Sequence, residues 1–177
     1  MTLAFGSLRT NGQLSRRDRI GQQLRLLDRQ GETAISFGGC IERHLGLRLR
    51  KDQVKRCIAS VARKYADSRW ESETIIGLSL PMSAASLTPL FDRLTERLSE
   101  IADRPLTPKE LLAALPITNR ERLRWTKGNR LKRSGDLKIK RGQIVTIPTY
   151  SVAAAESILA DDAILDRWRE IDRLVDA

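Results

Sequence analysis

Two Thr-x-x-Glu signatures only eleven residues apart constrain the fold of this chain more than any other feature. They begin at Thr107 and Thr118, and Pro116 lies between them. In such a capping box the threonine hydroxyl accepts a hydrogen bond from the glutamate amide, and the glutamate carboxylate accepts one from the threonine amide. Because proline cannot continue a helix, the first helix ends before it and a second begins at Asn119. The spacing therefore predicts two short helices joined by a tight turn, which is a helix-turn-helix pattern.

Basic residues are concentrated in two blocks of the sequence. The formal net charge is +10 and the pI is about 10.3, which points to a polyanionic partner. Residues 116–142 hold ten Lys and Arg against two Asp and Glu, and residues 1–70 hold fifteen against six. The second predicted helix carries four of these cations, Arg120, Arg122, Arg124 and Lys127. Their mutual repulsion implies a compensating partner or a well-solvated face.

Alternating apolar and basic residues after the second helix predict a basic β-hairpin. Gly128-Asn129 provides a left-handed end to that helix. We expect a first turn at residues 134–136, a strand at 137–140, a second turn at 141–142 and a returning strand at 143–147. The cations of such a ribbon are placed to contact a phosphate backbone.

Residues 105–160 resemble the winged helix-turn-helix of the MerR-type and excisionase-like DNA-binding proteins. The segment LTPKELLAALPIT resembles the first helix and turn of that family, and NRERLRWTKGNRL resembles its recognition helix. The segment YSVAAAESILA looks like the short helix that closes such domains. The resemblance implies DNA binding, with the second helix in the major groove and the hairpin near the minor groove or the backbone.

Three positions depart from the pattern of that family. Pro116 stands where a glycine is common, and Asn129 replaces another usual glycine. Arg122 stands where the family usually buries an aliphatic residue. We therefore expect Leu123 and Trp125 to carry the packing of this helix instead, with base stacking as the alternative role of the tryptophan.

The N-terminal half is expected to be a basic helical lobe, residues 14–80, preceded by a flexible arm at residues 1–13. Its expected elements are three helices and one strand, at residues 15–30, 34–46, 51–66 and 74–80. Residues 48–64 are basic on one side, which indicates either a second DNA contact or a face that only needs solvation.

The second lobe is expected to span residues 83–177. A long amphipathic helix covers 83–102, with its regular part beginning near Thr88 and Pro89 at the first helical position. A C-terminal helix over 163–175 has an apolar stripe, so it either docks on its own domain or pairs with a second subunit as a homodimer or a DNA-assembled oligomer. The fold class is thus mainly α, with one small β-hairpin.

Several classes of function lack support in the sequence. The single histidine and the two isolated cysteines, seventeen residues apart, provide no metal-binding pattern, and no paired-carboxylate or phosphate-loop constellation indicates an enzyme or a cofactor. No apolar run approaches the ~18 residues that span a bilayer. The N-terminus lacks the pattern of a secretion signal. We therefore expect no membrane partner and a cytoplasmic protein, associated with the nucleoid if the source is bacterial.

The expected function is sequence-specific binding of duplex DNA, most simply as a transcriptional regulator. There are two alternatives. One is an accessory DNA-architecture factor, such as a recombination directionality or plasmid-maintenance protein, and the other is a nucleic-acid-processing enzyme, for which no catalytic constellation stands out. Candidate base readers lie in the first half of the second helix: Asn119, Arg120 and Arg124. Candidate phosphate contacts lie at the helix end and on the hairpin: Lys127, Arg130, Lys132, Arg133, Lys138, Lys140 and Arg141. Thr118 and Arg122 complete the expected DNA-binding set.

Overall fold

A computed structural model describes residues 15–29, 32–79 and 84–176, and the chain divides into two compact units, Met1–Asp103 and Arg104–Ala177. The flexible arm expected at residues 1–13 lies outside the described residues. Both units combine helices with a small antiparallel sheet, so the protein is mixed α/β, and the expectation of a mainly α chain with a single hairpin is only partly met.

The first unit is an antiparallel sheet covered by helices. Its elements are α1 Arg16–Gln23, β1 Arg25–Arg29, β2 Glu32–Ser36, α2 Gly38–Arg43, α3 Leu45–Leu49, α4 Lys51–Ala62, β3 Ser68–Ser72, β4 Ile75–Leu78 and α5 Ala84–Asp103. The strands lie in the order β1-β2-β4-β3, and every neighbouring pair is antiparallel.

The sheet corrects the expectation of a helical N-terminal lobe. Helix α1 ends at Gln23 rather than near residue 30, and β2 occupies the start of the helix expected at 34–46. Cross-strand pairing explains the difference, because Ile35 lies opposite Leu26 on one side and opposite Ile76 on the other. The apolar residues of these short segments suit either a helix or a strand, and the sheet contacts decide between them. The helix expected at 51–66 and the strand expected at 74–80 are confirmed as α4 and β4, whereas β3 was not predicted.

Helix α5 belongs to the first unit, so its expected place in the second lobe is wrong. Leu90, Leu94 and Leu98 are fully buried in the core of the first unit, where α5 packs against α1, α3 and α4. The helix begins at Ala84, before the expected start near Thr88, and includes Pro89, whose missing amide removes one hydrogen bond near the helix start.

A glycine permits the close contact between α3 and α5. A Cβ atom at Gly46 would lie 2.3 Å from the carbonyl oxygen of Ala102. Any larger residue at this position would push the two helices apart.

The second unit contains the predicted pair of short helices followed by a hairpin. Its elements are α6 Pro108–Ala114, α7 Asn119–Lys127, β5 Arg133–Arg141, β6 Gln143–Tyr150, α8 Val152–Leu159 and α9 Ile164–Asp176. Helices α8 and α9 confirm the short closing helix and the C-terminal helix expected from the sequence. Its largest fully buried side chains are Trp125 and Tyr150, and its other buried apolar residues are Leu106, Leu111, Leu115, Leu131, Val152, Ala155, Ile158 and Leu165.

Both capping boxes are formed. The hydroxyl of Thr107 accepts from the amide of Glu110 at 3.3 Å, and the carboxylate of Glu110 accepts from the amide of Thr107 at 2.8 Å. The corresponding distances in the second box, between Thr118 and Glu121, are 3.2 and 2.7 Å. Two helix starts are therefore fixed eleven residues apart, as the sequence predicts.

The end of α7 is also as predicted. Asn129 adopts a left-handed conformation with φ of 59°, and the amides of Arg130 and Leu131 both bond to the carbonyl of Trp125. This arrangement turns the chain sharply from α7 into the hairpin.

The β5–β6 hairpin, called the ribbon below, is longer than predicted. Gly142, with φ of 74°, forms the expected turn at the tip. The expected turn at residues 134–136 is wrong, because β5 passes through these residues, with Gly135 opposite Thr149 and Asp136 opposite Pro148. The extra residue Ser134 is accommodated by a register shift, which lets pairing continue down to the buried end of the ribbon.

Among the residues that the structure describes, no helix combines the length and the apolar character required to cross a bilayer.

Candidate nucleic-acid interface

Helix α7 has one face in the core and one face in solvent. Arg122 and Trp125, three residues apart, point inward and are 7% and 0% exposed. The helical repeat of 3.6 residues places the remaining long side chains on the other side. Those exposed residues are Asn119, Arg120, Leu123, Arg124 and Lys127.

Arg122 is a structural residue, so its expected DNA contact is wrong. Its Nε and Nη2 atoms donate to Oδ1 of Asn119 at 3.0 and 2.8 Å, and its Nη1 donates to the hydroxyl of Tyr150 at 2.8 Å. The Tyr150 hydroxyl also lies 3.0 Å from Oγ1 of Thr126. The guanidinium therefore joins α7 to the end of β6.

Leu123 does not pack in the core as expected, whereas the expected packing of Trp125 is confirmed. Leu123 is 54% exposed, while the Trp125 indole is fully enclosed and is not available for base stacking. Once Trp125 points inward, the residue three positions earlier shares its face and the residue two positions earlier does not. This spacing is the signal that would have placed Leu123 in solvent.

Thr118 and Asn119, the first two candidate DNA contacts, already form hydrogen bonds with other residues at the start of α7. The hydroxyl of Thr118 both accepts from and donates to Glu121 as part of the capping box. Asn119 is exposed, but its amide oxygen already accepts two hydrogen bonds from Arg122. A bidentate contact of Asn119 with adenine needs that oxygen, so it would require Arg122 to release it.

The Asp172 carboxylate on α9 contacts both α7 and the segment that follows α7. Asp172 accepts from the indole N–H of Trp125 at 2.8 Å and pairs with Arg130 at 2.8 Å and with Arg124 at 3.5 Å. Partial burial opposes ionisation, but the hydrogen bonds from Trp125 and Arg130 outweigh it and hold the pKa of Asp172 below its ordinary value. Arg130 also donates to the Trp168 carbonyl at 3.0 Å, so it has internal partners, and its expected phosphate contact stays a prediction.

A second ion pair fixes the start of α7 to α9. Arg169 donates from Nε to Glu121 at 2.8 Å and from Nη2 to the carbonyl of Pro116 at 2.7 Å. Burial of the Glu121 carboxylate opposes ionisation, but hydrogen bonds from the Thr118 amide and from Arg169 hold its pKa below the ordinary value. The same bond and a second one to Asp166 raise the pKa of Arg169.

Helix α9 thus docks on its own domain, one of the two expected arrangements. Its Trp168 ring meets Trp125 edge to face at a centroid distance of 5.0 Å. Further along the helix, Ile171, Leu174 and Val175 are 46%, 72% and 77% exposed, so the expected apolar stripe is only partly covered.

The two lysines of the ribbon share one face, together with Thr146 and Ile144. Lys138 lies opposite Thr146 and Lys140 opposite Ile144, whereas the pairs Leu137–Ile147 and Ile139–Val145 occupy the other face. Arg133 pairs with Asp136 on its own strand, which reduces its availability for phosphate. The side chain of Arg141, another expected contact, lies outside the described part of the structure.

The cations that remain for an anionic partner lie on α7 and the ribbon. They are Arg120, Lys127, Lys132, Lys138 and Lys140, all exposed and without an acidic partner in residues 104–176. Arg124 lies at the edge of this set, 44% exposed beside Asp172. The arrangement can attract and orient an extended polyanion.

The basic side chains of α4 in the first unit have local partners. Lys51 pairs with Glu73 at 2.5 Å, and the ammonium of Lys55 lies 5.5 Å from the centre of the Trp70 ring. Arg56 and Arg63 each donate to a backbone carbonyl one turn earlier in the helix. These contacts favour the solvated-face interpretation of residues 48–64.

No group of three or more His, Cys, Asp or Glu side chains in the described ranges is arranged to bind a metal ion. Comparison of the chain with models of known families, with curated proteins and with solved structures finds no match. The interpretation of the surface on α7 and the ribbon therefore depends on its geometry and charge alone.

Proposed function

We propose that the second unit is a winged helix-turn-helix module that binds duplex DNA sequence-specifically. Helix α7 would enter the major groove, and the ribbon would contact the backbone or the minor groove. The observation that carries this proposal is the exposed face of α7. It presents Arg120 and Lys127 without an acidic partner in this unit, while Arg122 and Trp125 fix the opposite face to the core.

Chemistry favours duplex DNA over a single strand. Proteins that bind single strands stack bases on exposed aromatic rings. The aromatic rings near α7 serve packing, since Trp125 and Tyr150 are buried and the Trp168 ring meets Trp125. A capped helix of nine residues has the diameter that the major groove accepts.

The contacts divide between bases and backbone. Arg120 lies in the first turn of α7, where base edges are usually reached, and an arginine there can bond the O6 and N7 atoms of guanine. Arg124 can join it when a phosphate or base competes with Asp172. Lys127, Lys132, Lys138 and Lys140 are the expected phosphate contacts.

Selection of bound duplexes from a random pool, followed by anisotropy titrations, tests the proposal. We expect Arg120→Ala to weaken binding to the selected duplex by about 5- to 150-fold and binding to a scrambled duplex far less. Arg173→Ala provides the control, because Arg173 is an exposed cation paired with Glu170 on α9. Absence of a selected sequence, or equal losses on both duplexes, would contradict sequence-specific binding through α7.

A transcriptional regulator that acts on cytoplasmic or nucleoid DNA is the role we propose for such a module. The exposed apolar residues at the end of α9 favour a second candidate, an accessory DNA-architecture factor whose copies assemble side by side. Footprinting separates the two roles. A single protected operator near a promoter supports the regulator, and an extended array of adjacent sites supports the architectural factor.

A further inference from the structure

We infer that Leu123 recognises the C5-methyl group of a thymine in the major groove, an inference that depends on the proposed binding of duplex DNA. Leu123 would thus be a specificity-determining residue and would make the binding site include at least one A·T pair at a defined position.

The inference begins with the position of Leu123 on α7. Its side chain is 54% exposed at the middle of the solvent face. Arg120 lies one turn before it and Lys127 one turn after it, so the three side chains form a row along the helix. Both flanking residues are exposed cations with no carboxylate partner in the second unit.

Leu123 lies outside the core of the second unit. The residues of α7 that are buried there are Arg122 and Trp125, whereas Leu123 is 54% exposed. An isolated exposed leucine is ordinary on a protein surface. Here, however, any polyanion held by Arg120 and Lys127 must also cover Leu123, because the leucine lies between them.

The floor of the major groove offers only one apolar group to such a side chain. Every base edge there presents hydrogen-bond donors or acceptors, and thymine alone adds a methyl group, at C5. Leucine cannot donate or accept, so placing it against guanine, cytosine or adenine would bury polar atoms without partners. Placing it against thymine buries apolar surface on both sides, which for one methyl group corresponds to about three- to five-fold in affinity.

Replacing thymine with deoxyuridine tests the contact directly, because deoxyuridine lacks the methyl group and keeps the base pairing. Each thymine of the selected duplex is replaced in turn, and each duplex is titrated with the wild-type protein and with Leu123→Ala. We expect one or two positions at which the wild type loses about three- to five-fold and Leu123→Ala loses nothing further. Because Leu123 is exposed, Leu123→Ala should keep the wild-type near-ultraviolet circular dichroism.

Three results would overturn the inference. If no deoxyuridine position weakens the wild type, or if the same position weakens Leu123→Ala equally, duplex binding stands and Leu123 does not read the methyl group. If Leu123→Ala changes the sedimentation coefficient of the free protein while deoxyuridine has no effect, Leu123 contacts a second copy instead. If the wild type selects no duplex at all, the proposed function fails together with the inference. Selection with Leu123→Gln is a second, independent test, since it should move the preferred base at that position away from thymine.

Discussion

Two arginines on the same helix, two residues apart, have opposite roles. Arg122 is 7% exposed and makes three hydrogen bonds, whereas Arg120 is exposed on the face turned to solvent. The helical repeat determines this difference, because Arg122 shares the inward face with Trp125. Charge in the sequence therefore indicates a basic helix, but burial decides which cations are available to a partner.

This difference predicts opposite effects on stability. Arg122→Ala should lower the free energy of unfolding by about 2–3 kcal/mol, because it removes charged hydrogen bonds to Asn119 and Tyr150. Arg120→Ala should change it by less than about 0.5 kcal/mol. Urea unfolding followed by tryptophan fluorescence in a Trp70→Phe background reports on the second unit, since the remaining tryptophans lie there. Equal destabilisation by both substitutions would contradict these assignments.

The Asp172 carboxylate predicts a dependence of stability on pH. Its pKa is lowered in the folded protein, so the ionised group stabilises the fold fully above its ordinary value of 3.8. This stabilisation decreases as the pH falls through that value and ends below the lowered pKa. Unfolding free energies measured between pH 6 and pH 3 should therefore fall less steeply with acid in Asp172→Asn than in the wild type.

A matched control for this prediction is Asp162→Asn on the same unit. Asp162 is exposed, and its substitution removes one carboxylate from the unit without removing any contact of Asp172. If Asp172→Asn has the same slope as the wild type, then the contacts with Trp125 and Arg130 do not stabilise the fold.

Two short helices could be located from the sequence because each carries its own start signal. The Thr–Glu pairs act within four residues, and Pro116 acts on its own backbone, so neither signal needs the rest of the fold. Strands β1 and β2 carry no such local signal. Their residues become strands because Ile35 pairs with Leu26 on the neighbouring strand and with Ile76, which is distant in sequence.

The same distinction applies to the ribbon. Gly142 could be identified as a turn because its positive φ is a local property of glycine. Ser134 and Gly135 also have the composition of a turn, but pairing of Gly135 with Thr149 extends the strand through them. Composition identifies a turn reliably only where no partner strand can continue the ladder.

The second capping box allows the contribution of one helix start to be measured. Thr118→Ala should lower the stability of the second unit by about 1 kcal/mol, since it removes the acceptor for the Glu121 amide. Thr118→Ser should restore most of this stability because the serine hydroxyl can make the same bonds. Both proteins are compared by the fluorescence-detected urea unfolding described for Arg122. If Thr118→Ser lost as much stability as Thr118→Ala, the methyl group rather than the hydroxyl would account for the contribution of Thr118.

Most acidic contacts of the second unit stabilise its own fold, whereas several of its basic residues have no acidic partner there. The carboxylates of α9 and of the capping boxes pair with Arg130, Arg169 and backbone amides. Lys138 and Lys140 on the ribbon are exposed and have no acidic partner among the described residues of this unit. Residues 104–177 hold fifteen Lys and Arg against ten Asp and Glu, so half of the net charge of +10 lies in this unit.

This arrangement predicts the dependence of DNA binding on salt. If about six phosphates are neutralised, the logarithm of the binding constant should fall against the logarithm of the salt concentration with a slope of roughly −5. Lys138→Gln combined with Lys140→Gln removes two phosphate contacts, so the slope should become shallower by about 2 on specific and random duplexes alike. Arg93→Gln combined with Arg97→Gln removes the same charge from α5, where both arginines pair with glutamates three residues on, and should leave the slope unchanged. The two double variants can be compared directly because both lower the net charge by the same amount. If both flatten the slope to the same extent, the whole charge of the protein attracts the duplex and the ribbon has no special part, whereas a change confined to Lys138 and Lys140 places the phosphate contacts on the ribbon.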